Sequence, residues 1–268
     1  MVEARSELTD QSIPPDLSED AWLGGRLRLL QPSGGHRVGS DAALLAAAAG
    51  AFEGRIVDVG AGVGAVALAL LARHDGLSAF LVEINPELSR LAKLNAVRNK
   101  LEGRARIVTV DILKPRERRE AGLPDEAAQC VVTNPPFFDA RKVRASPNAA
   151  RAESHVFPAT EAGGATLTAW IRASIATLAP GGRFVMIHRP DALAEILAAT
   201  ENRLGARTFL PVHPRAGASA HRVLFSGVKG SKAPVRLAPC LTLHEADGRL
   251  TAEADAIHRG EAVLNWGA

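Results

Sequence analysis

Two short stretches of this 268-residue chain carry residue types whose spacing could do chemistry: Asp58-Val59-Gly60-Ala61-Gly62-Val63-Gly64 and Thr133-Asn134-Pro135-Pro136-Phe137-Phe138. The first lies between the apolar run "RIV" and the segment "AVALALLAR", so its glycines fall where a strand gives way to a helix. Small residues at such a junction let the backbone turn tightly and approach a ligand, and free amides at the helix start face whatever carries negative charge. The second stretch follows the apolar run "QCVV" and sits where a strand ends. Its prolines fix φ and supply no competing N–H, so the turn presents acceptors in a preset direction. The Asn134 side-chain oxygen and the Pro135 carbonyl would each accept one N–H of a planar, conjugated amine. That pulls the nitrogen toward tetrahedral geometry and frees its lone pair to attack an electrophile held nearby. Phe137 would stack on the flat group, worth about 1–3 kcal/mol per base, with Phe138 beside it.

Carboxylates recur at further strand ends. Glu83 closes the run "AFLV", 25 residues after Asp58, where an acid can accept both hydrogen bonds of a ribose diol. That logic serves NAD and S-adenosylmethionine alike. Asp111 follows "ARIVTV" and can accept from an adenine amine, with Ile112, and Ile84 after Glu83, offering apolar contact to the ring. A dinucleotide asks for GxGxxG; Asp58-x-Gly60-x-Gly62-x-Gly64 instead has the spacing usual for S-adenosylmethionine, and Ala61 completes that loop. Asp41, at a helix start, either lines the methionine end of such a site or acts as an ordinary helix-start acid. Beyond the proline turn, Arg141, Lys142, Arg144 and Arg151 could hold phosphates on either side of an inserted nucleotide. A solvated surface loop is the plain alternative. Its length favours a binding role.

The stretches "DVGAGVG", "VEINPELSRLAKLNAVRN", "VDI" and "NPPFF" together resemble the S-adenosylmethionine-dependent amino-methyltransferases. With "GGHRVGSDAALLAA", "NAARAESH" and, more loosely, "PCLTLHEADGRLTAEADAI", the pattern over residues 24 to 258 resembles the bacterial tRNA (adenine-N6)-methyltransferases that act on the anticodon loop of a valine tRNA. Phe137 departs from the tyrosine of many relatives, keeping the ring and losing a hydroxyl; His36 and Val38 stand where relatives often carry aromatics. The resemblance implies a Rossmann-like methyltransferase fold, S-adenosyl-L-methionine as cofactor and tRNA as partner. It also implies catalysis at Asn134, Pro135, Pro136 and Phe137 and a substrate contact at Phe138. The alternatives are methylation of a guanine amine or a protein glutamine amide, a small-molecule O-methyltransferase, and a non-catalytic RNA-binding protein on the same scaffold.

Short apolar runs alternate with longer helical ones through residues 53–228, which predicts an α/β, doubly wound, mostly parallel sheet of about seven strands with an antiparallel closing strand. Residues 1–22 read as a poorly ordered lead. Residues 23–268 read as one domain: an N-terminal hairpin and helix (23–52), the catalytic core (53–228) and a C-terminal addition (229–268). Ser40 is a plausible N-cap of the helix that Gly50 ends. A hydrophobic content of 47% can fill a sizeable core, and the net charge of +3 is compatible with a polyanion without requiring one. Cys130 and Cys240 have no CxxC spacing and are expected as buried packing residues in a reduced compartment. No metal cluster, signal peptide or membrane span is visible, so a cytoplasmic protein is expected. The histidines, His188 and His221 among them, form no catalytic pattern, and Trp22, Trp170 and Trp266 are expected to pack.

Overall fold

Parallel strands need a crossover each, and this chain supplies one after each of its central strands. The computed structural model describes residues 13–34, 37–51, 53–136 and 166–267. Strands β3 (Gly54–Val59), β4 (Leu77–Glu83), β5 (Ala105–Thr109), β6 (Ala128–Thr133) and β7 (Leu178–His188) are joined through α2 (Ala65–Arg73), α3 (Pro86–Arg98), α4 (Pro115–Glu120) and α5 (Leu167–Ala176). After α6 (Leu193–Thr200), the long strands β8 (Leu204–Arg215) and β9 (Arg222–Lys229) follow as an antiparallel pair. The spatial order is β5-β4-β3-β6-β7-β9-β8, with β9 alone antiparallel to its neighbours in this core. The winding runs outward from β3 through β4 to β5, then returns to the other side of β3 with β6. The β3/β6 boundary is therefore the switch point, where a doubly wound sheet opens a crevice at its carboxyl edge.

Both faces of the sheet are covered, which is why its strands read as nearly continuous apolar runs. Ile56, Leu81, Val132 and Val185 pack toward α1 (Ser40–Ala49) and α2, while Val57, Val59, Val131, Phe184 and Met186 pack toward α5 and α6. The C-terminal addition contributes two short strands, β10 (Arg236–Leu237) and β11 (Leu241–His244), both parallel to β8, and α7 (Ala252–His258) against α1. Among the described residues the sheet thus reaches nine strands.

Four local expectations need correction. The lead does not run to residue 22: Leu17–Trp22 forms β1, paired antiparallel with β2 (Leu27–Pro32), because the charged residues of "LSEDAW" find partners in Arg28, Gln31, Arg37 and Arg98. Ser40 is the first helical residue of α1, not its cap; Gly39 holds the cap position, and Ser40 Oγ lies 2.9 Å from His258 Nε2. Asp111 stands two residues beyond β5, in the turn that follows. Cys240 is exposed, between two edge strands, whereas Cys130 is buried in β6 and desolvation pushes its thiol up to about 12.

Candidate active site

At the switch point the carboxyl edge opens into a cleft of about 840 Å³, a size common for small-molecule sites. The glycine loop forms its floor. Gly62 (φ +56°) has no atom within 4 Å of where a side chain would begin, so the backbone is bare on the cleft side. Gly64 (φ +89°) is the N-cap of α2, and a Cβ there would stand 2.8 Å from Leu81 Cδ2, so glycine is what lets the helix start sit against the sheet. Gly60, Ala61, Asp58 and Glu83 line the same cleft.

The loop's amides are not presented to a ligand as expected. Gly60 and Ala61 both donate to Val82 O (2.9 and 3.0 Å), Gly62 donates to Glu83 Oε2 (2.9 Å) and Gly64 to Ala61 O (2.8 Å). Asp58 Oδ2 accepts from Ala67 N in the first turn of α2 (3.0 Å), so a carboxylate already occupies that helix start. A pyrophosphate would find these donors spent. An adenosyl group without phosphates asks for bare backbone and carboxylate acceptors instead, and both are here.

Asp58 is 2% exposed, and burial pushes its carboxyl up to about 7, reinforced by the charge of Glu83 and opposed by the Ala67 amide. Glu83 is fixed from both sides, Oε2 by Gly62 N and Oε1 by Asn85 N (2.9 Å). A carboxylate offers about four acceptor sites, so each oxygen can still take a hydroxyl. Asn85 in turn caps α3, accepting from Glu87 N and Leu88 N with Pro86 in the first turn. Ile84 is 42% exposed inside the cleft, an unusual position for a large aliphatic side chain, and Ile112, on the Asp111 turn, lines the same cleft. Asp111 Oδ1 accepts from Leu113 N (2.9 Å), which sets the carboxylate's direction.

Asn134, Pro135 and Pro136 close the cleft at the end of β6. Phe137, Phe138, Arg141, Lys142, Arg144 and Arg151 lie outside the described residues. Asp41 also lines the cleft, its carboxylate engaged by Arg222 Nε (2.9 and 3.1 Å), an ion pair across 181 residues of sequence. Sequence reasoning missed Arg222, His221, Gln31 and Trp170 as cleft residues. Burial and the neighbouring Arg222 lower the pKa of the His221 imidazole from its ordinary value, which favours its neutral form. Among the described residues no three His, Cys, Asp or Glu side chains gather as a metal site, and no helix is long and apolar enough to cross a membrane.

A doubly wound seven-strand core with one antiparallel strand, a glycine loop at its switch point bare at Gly62, and an acid on each of three successive strand ends or turns defines an S-adenosylmethionine-dependent methyltransferase. The family described as methyltransferase small domain matches residues 36–152, and the chain belongs with the methyltransferases. The crystal structure of a predicted O-methyltransferase from Agrobacterium tumefaciens superposes with a TM-score of 0.69 at 30% identity, over 84% of this chain and 98% of that one. The tRNA1(Val) (adenine(37)-N6)-methyltransferases of Porphyromonas gingivalis and Pedobacter heparinus are 34% and 33% identical over 107 and 103 residues, in each case 38% of this chain. The matched stretch spans 41% of the length of those relatives.

Proposed function

We propose that the protein transfers a methyl group to the exocyclic N6 of an adenine in tRNA, and that it does so in the cytoplasm. The observation that carries this reading is the Asn134-Pro135-Pro136 turn, which opens onto the same cleft as Gly62 and Glu83. When bound, S-adenosylmethionine supplies an electrophilic sulfonium methyl. Glu83, held by two backbone amides, accepts the ribose hydroxyls. Asp111 accepts from the adenine amine of the cofactor, and Ile84 and Ile112 flank its ring. Asp41 and Arg222 wall the methionine end. On the acceptor side, Asn134 and Pro135 take the two N–H bonds of the target amine and turn its lone pair toward the cleft. The rings of Phe137 and Phe138 stack on the flipped base, and Arg141, Lys142, Arg144 and Arg151 hold the flanking phosphates. An amine can release its proton after transfer, so the step needs no general base. The names of the Porphyromonas and Pedobacter relatives support the tRNA acceptor.

The test is methyl transfer from labelled S-adenosylmethionine to bulk unmodified tRNA, followed by nucleoside analysis. Labelled N6-methyladenosine is expected, with turnover about 100-fold lower in Asn134→Ala and cofactor affinity within about twofold of wild type. Label in any other nucleoside, or full turnover in Asn134→Ala, would overturn the reading.

A hydroxyl acceptor is a second reading. The Agrobacterium relative, a predicted O-methyltransferase, favours it, and so does the presence of His221 in the cleft with its neutral form favoured, since an oxygen nucleophile asks for a base. On the amine reading His221→Ala leaves turnover within about threefold; on the hydroxyl reading it lowers turnover about 100-fold or more.

A further inference from the structure

Thr133 ends β6 and directly precedes Asn134; Val59 ends β3 and directly precedes Gly60. The two residues are register partners across the switch point. Here parallel strands part, one chain entering the glycine loop and the other the proline turn, and the backbone ladder no longer ties them together. A side chain continues the tie. Thr133 Oγ1 donates to Val59 O (2.8 Å) and accepts from Trp170 Nε1 (2.9 Å), with all of these groups buried. The Trp170 ring meanwhile lies under the glycine loop: a Cβ on Gly60 would stand 3.0 Å from Cζ2 and 3.2 Å from Cη2. Trp170 itself is only 4% exposed and lines the cleft. A buried indole N–H needs a partner, and this one finds it on the residue next to Asn134.

We infer that Trp170 and Thr133 are positioning residues for methyl transfer, a buried bridge that fixes the spacing between the cofactor-side loop at Gly60 and the acceptor-side turn at Asn134. The inference rests on the assignment of Asn134 to the acceptor side. The two reacting groups are held by different segments, so their approach depends on how those segments are tied, and a misplacement of about 1 Å can cost about 100-fold in rate. Neither residue need touch a ligand for this.

Three variants test it: Thr133→Val removes the hydroxyl at nearly constant volume, Thr133→Ser keeps it, and Trp170→Phe removes the indole donor while keeping an aromatic ring at the position. Cofactor affinity is measured with S-adenosylhomocysteine by calorimetry, and turnover with unmodified tRNA. The indole resonance of Trp170, one of three tryptophans, is followed by NMR. Thr133→Val and Trp170→Phe are expected to lower kcat about 10-fold or more with cofactor affinity within about twofold, and Thr133→Ser to restore kcat to within about threefold. The Trp170 resonance is expected to move on adding S-adenosylhomocysteine to wild type and to lose that response in Thr133→Val. Unchanged kcat in Thr133→Val overturns the proposal. So does a parallel fall of kcat, cofactor affinity and melting temperature in both Val and Ser variants, the mark of a residue that only supports the fold. If wild type labels no RNA, the tRNA reading fails by itself. The bridge is then decided by the resonance, whose undiminished response in Thr133→Val would overturn it.

Discussion

Glu83 shows how one carboxylate can organise a site before any ligand arrives. Its oxygens take the amides of Gly62 and Asn85, so the acid fixes the glycine loop and the entry of α3 together. Glu83→Ala should weaken S-adenosylhomocysteine binding by about 1.5–3 kcal/mol, roughly 10- to 150-fold, measured by calorimetry. Glu83→Gln should lose nearly as much, because an amide nitrogen would then face a backbone N–H at Gly62 or Asn85; wild-type affinity in Gln would refute this arrangement. Asp58 behaves differently. Raised from 3.8 to about 7, chiefly by burial, its carboxyl keeps a proton in the folded chain over a pH range in which the unfolded chain has released it. Stability present below about pH 4 is therefore lost as pH climbs toward 7. Asp58→Asn keeps an acceptor for Ala67 N without that loss. Its stability relative to wild type should rise between pH 4 and 7 by on the order of 3 kcal/mol and level off above, read from urea midpoints. A difference that stays flat over the window would mean that Asp58 is ionised throughout. Both acids, and the glycines between them, were legible in the sequence, since each sits at the end of a local apolar run. What could not be read was which way they face: the loop amides turned inward, and only the fold supplies Val82 O and Glu83 to receive them.

At the scale of elements, α3 performs a service that its sequence hides. Asn95 on α3 and Asn99 at its C-cap lie one turn apart, and Leu30 and Arg28 two residues apart on β2, so two nearly equal rises bring amide to peptide twice. Asn95 accepts from Leu30 N (2.7 Å) and donates to Leu30 O and Val63 O (both 3.0 Å); Asn99 accepts from Arg28 N (2.9 Å) and donates to Arg28 O (2.8 Å). The helix thereby completes the hydrogen bonding of a strand edge and ties the N-terminal hairpin to the glycine loop. Asn95 is fully buried, so Asn95→Ala should leave three peptide groups unpaired and cost about 2–4 kcal/mol, while the more exposed Asn99→Ala should cost about 1 kcal/mol or less. Equal losses in urea melts would show that burial does not set the difference. In sequence these asparagines pass for a polar helix face. The strand, turn and helix of residues 54–73 were readable because their periodicity is local. The wall made by Asp41 with Arg222, and the bridge from Trp170 to Thr133, join residues 181 and 37 apart, and no local pattern marks them. A single tryptophan in an apolar helix does carry one signal, an indole N–H that burial obliges to find a partner.

For the whole molecule, the question is whether the C-terminal addition belongs to the same cooperative unit as the core, as the proposed single domain of residues 23–268 requires. Its contacts favour that. Trp266 Nε1 donates to Ala48 O (2.9 Å) and Leu264 N to Ala47 O (3.0 Å), so the tail takes up carbonyls at the end of α1. The guanidinium of Arg183 on β7 lies 5.8 Å from the Trp266 ring, and β10 and β11 extend the sheet through β8. Helix α1 is alanine-rich and almost wholly buried, so without this cover it would expose an apolar face between the sheet and water. Its first turn carries Ser40 and Asp41, which places the cleft wall at one end of the helix and the Trp266 anchor at the other. Trp266→Ala should then lower the stability of the entire chain by about 3–5 kcal/mol. Trp266→Phe, which loses the hydrogen bond but keeps a ring, should cost about 1 kcal/mol. In both variants, urea unfolding followed by far-ultraviolet circular dichroism and by S-adenosylhomocysteine binding should give coincident midpoints, because the anchor, α1 and the cleft wall fail together. An early transition in circular dichroism that leaves cofactor binding intact would instead make the addition an appendix that folds apart from the catalytic core.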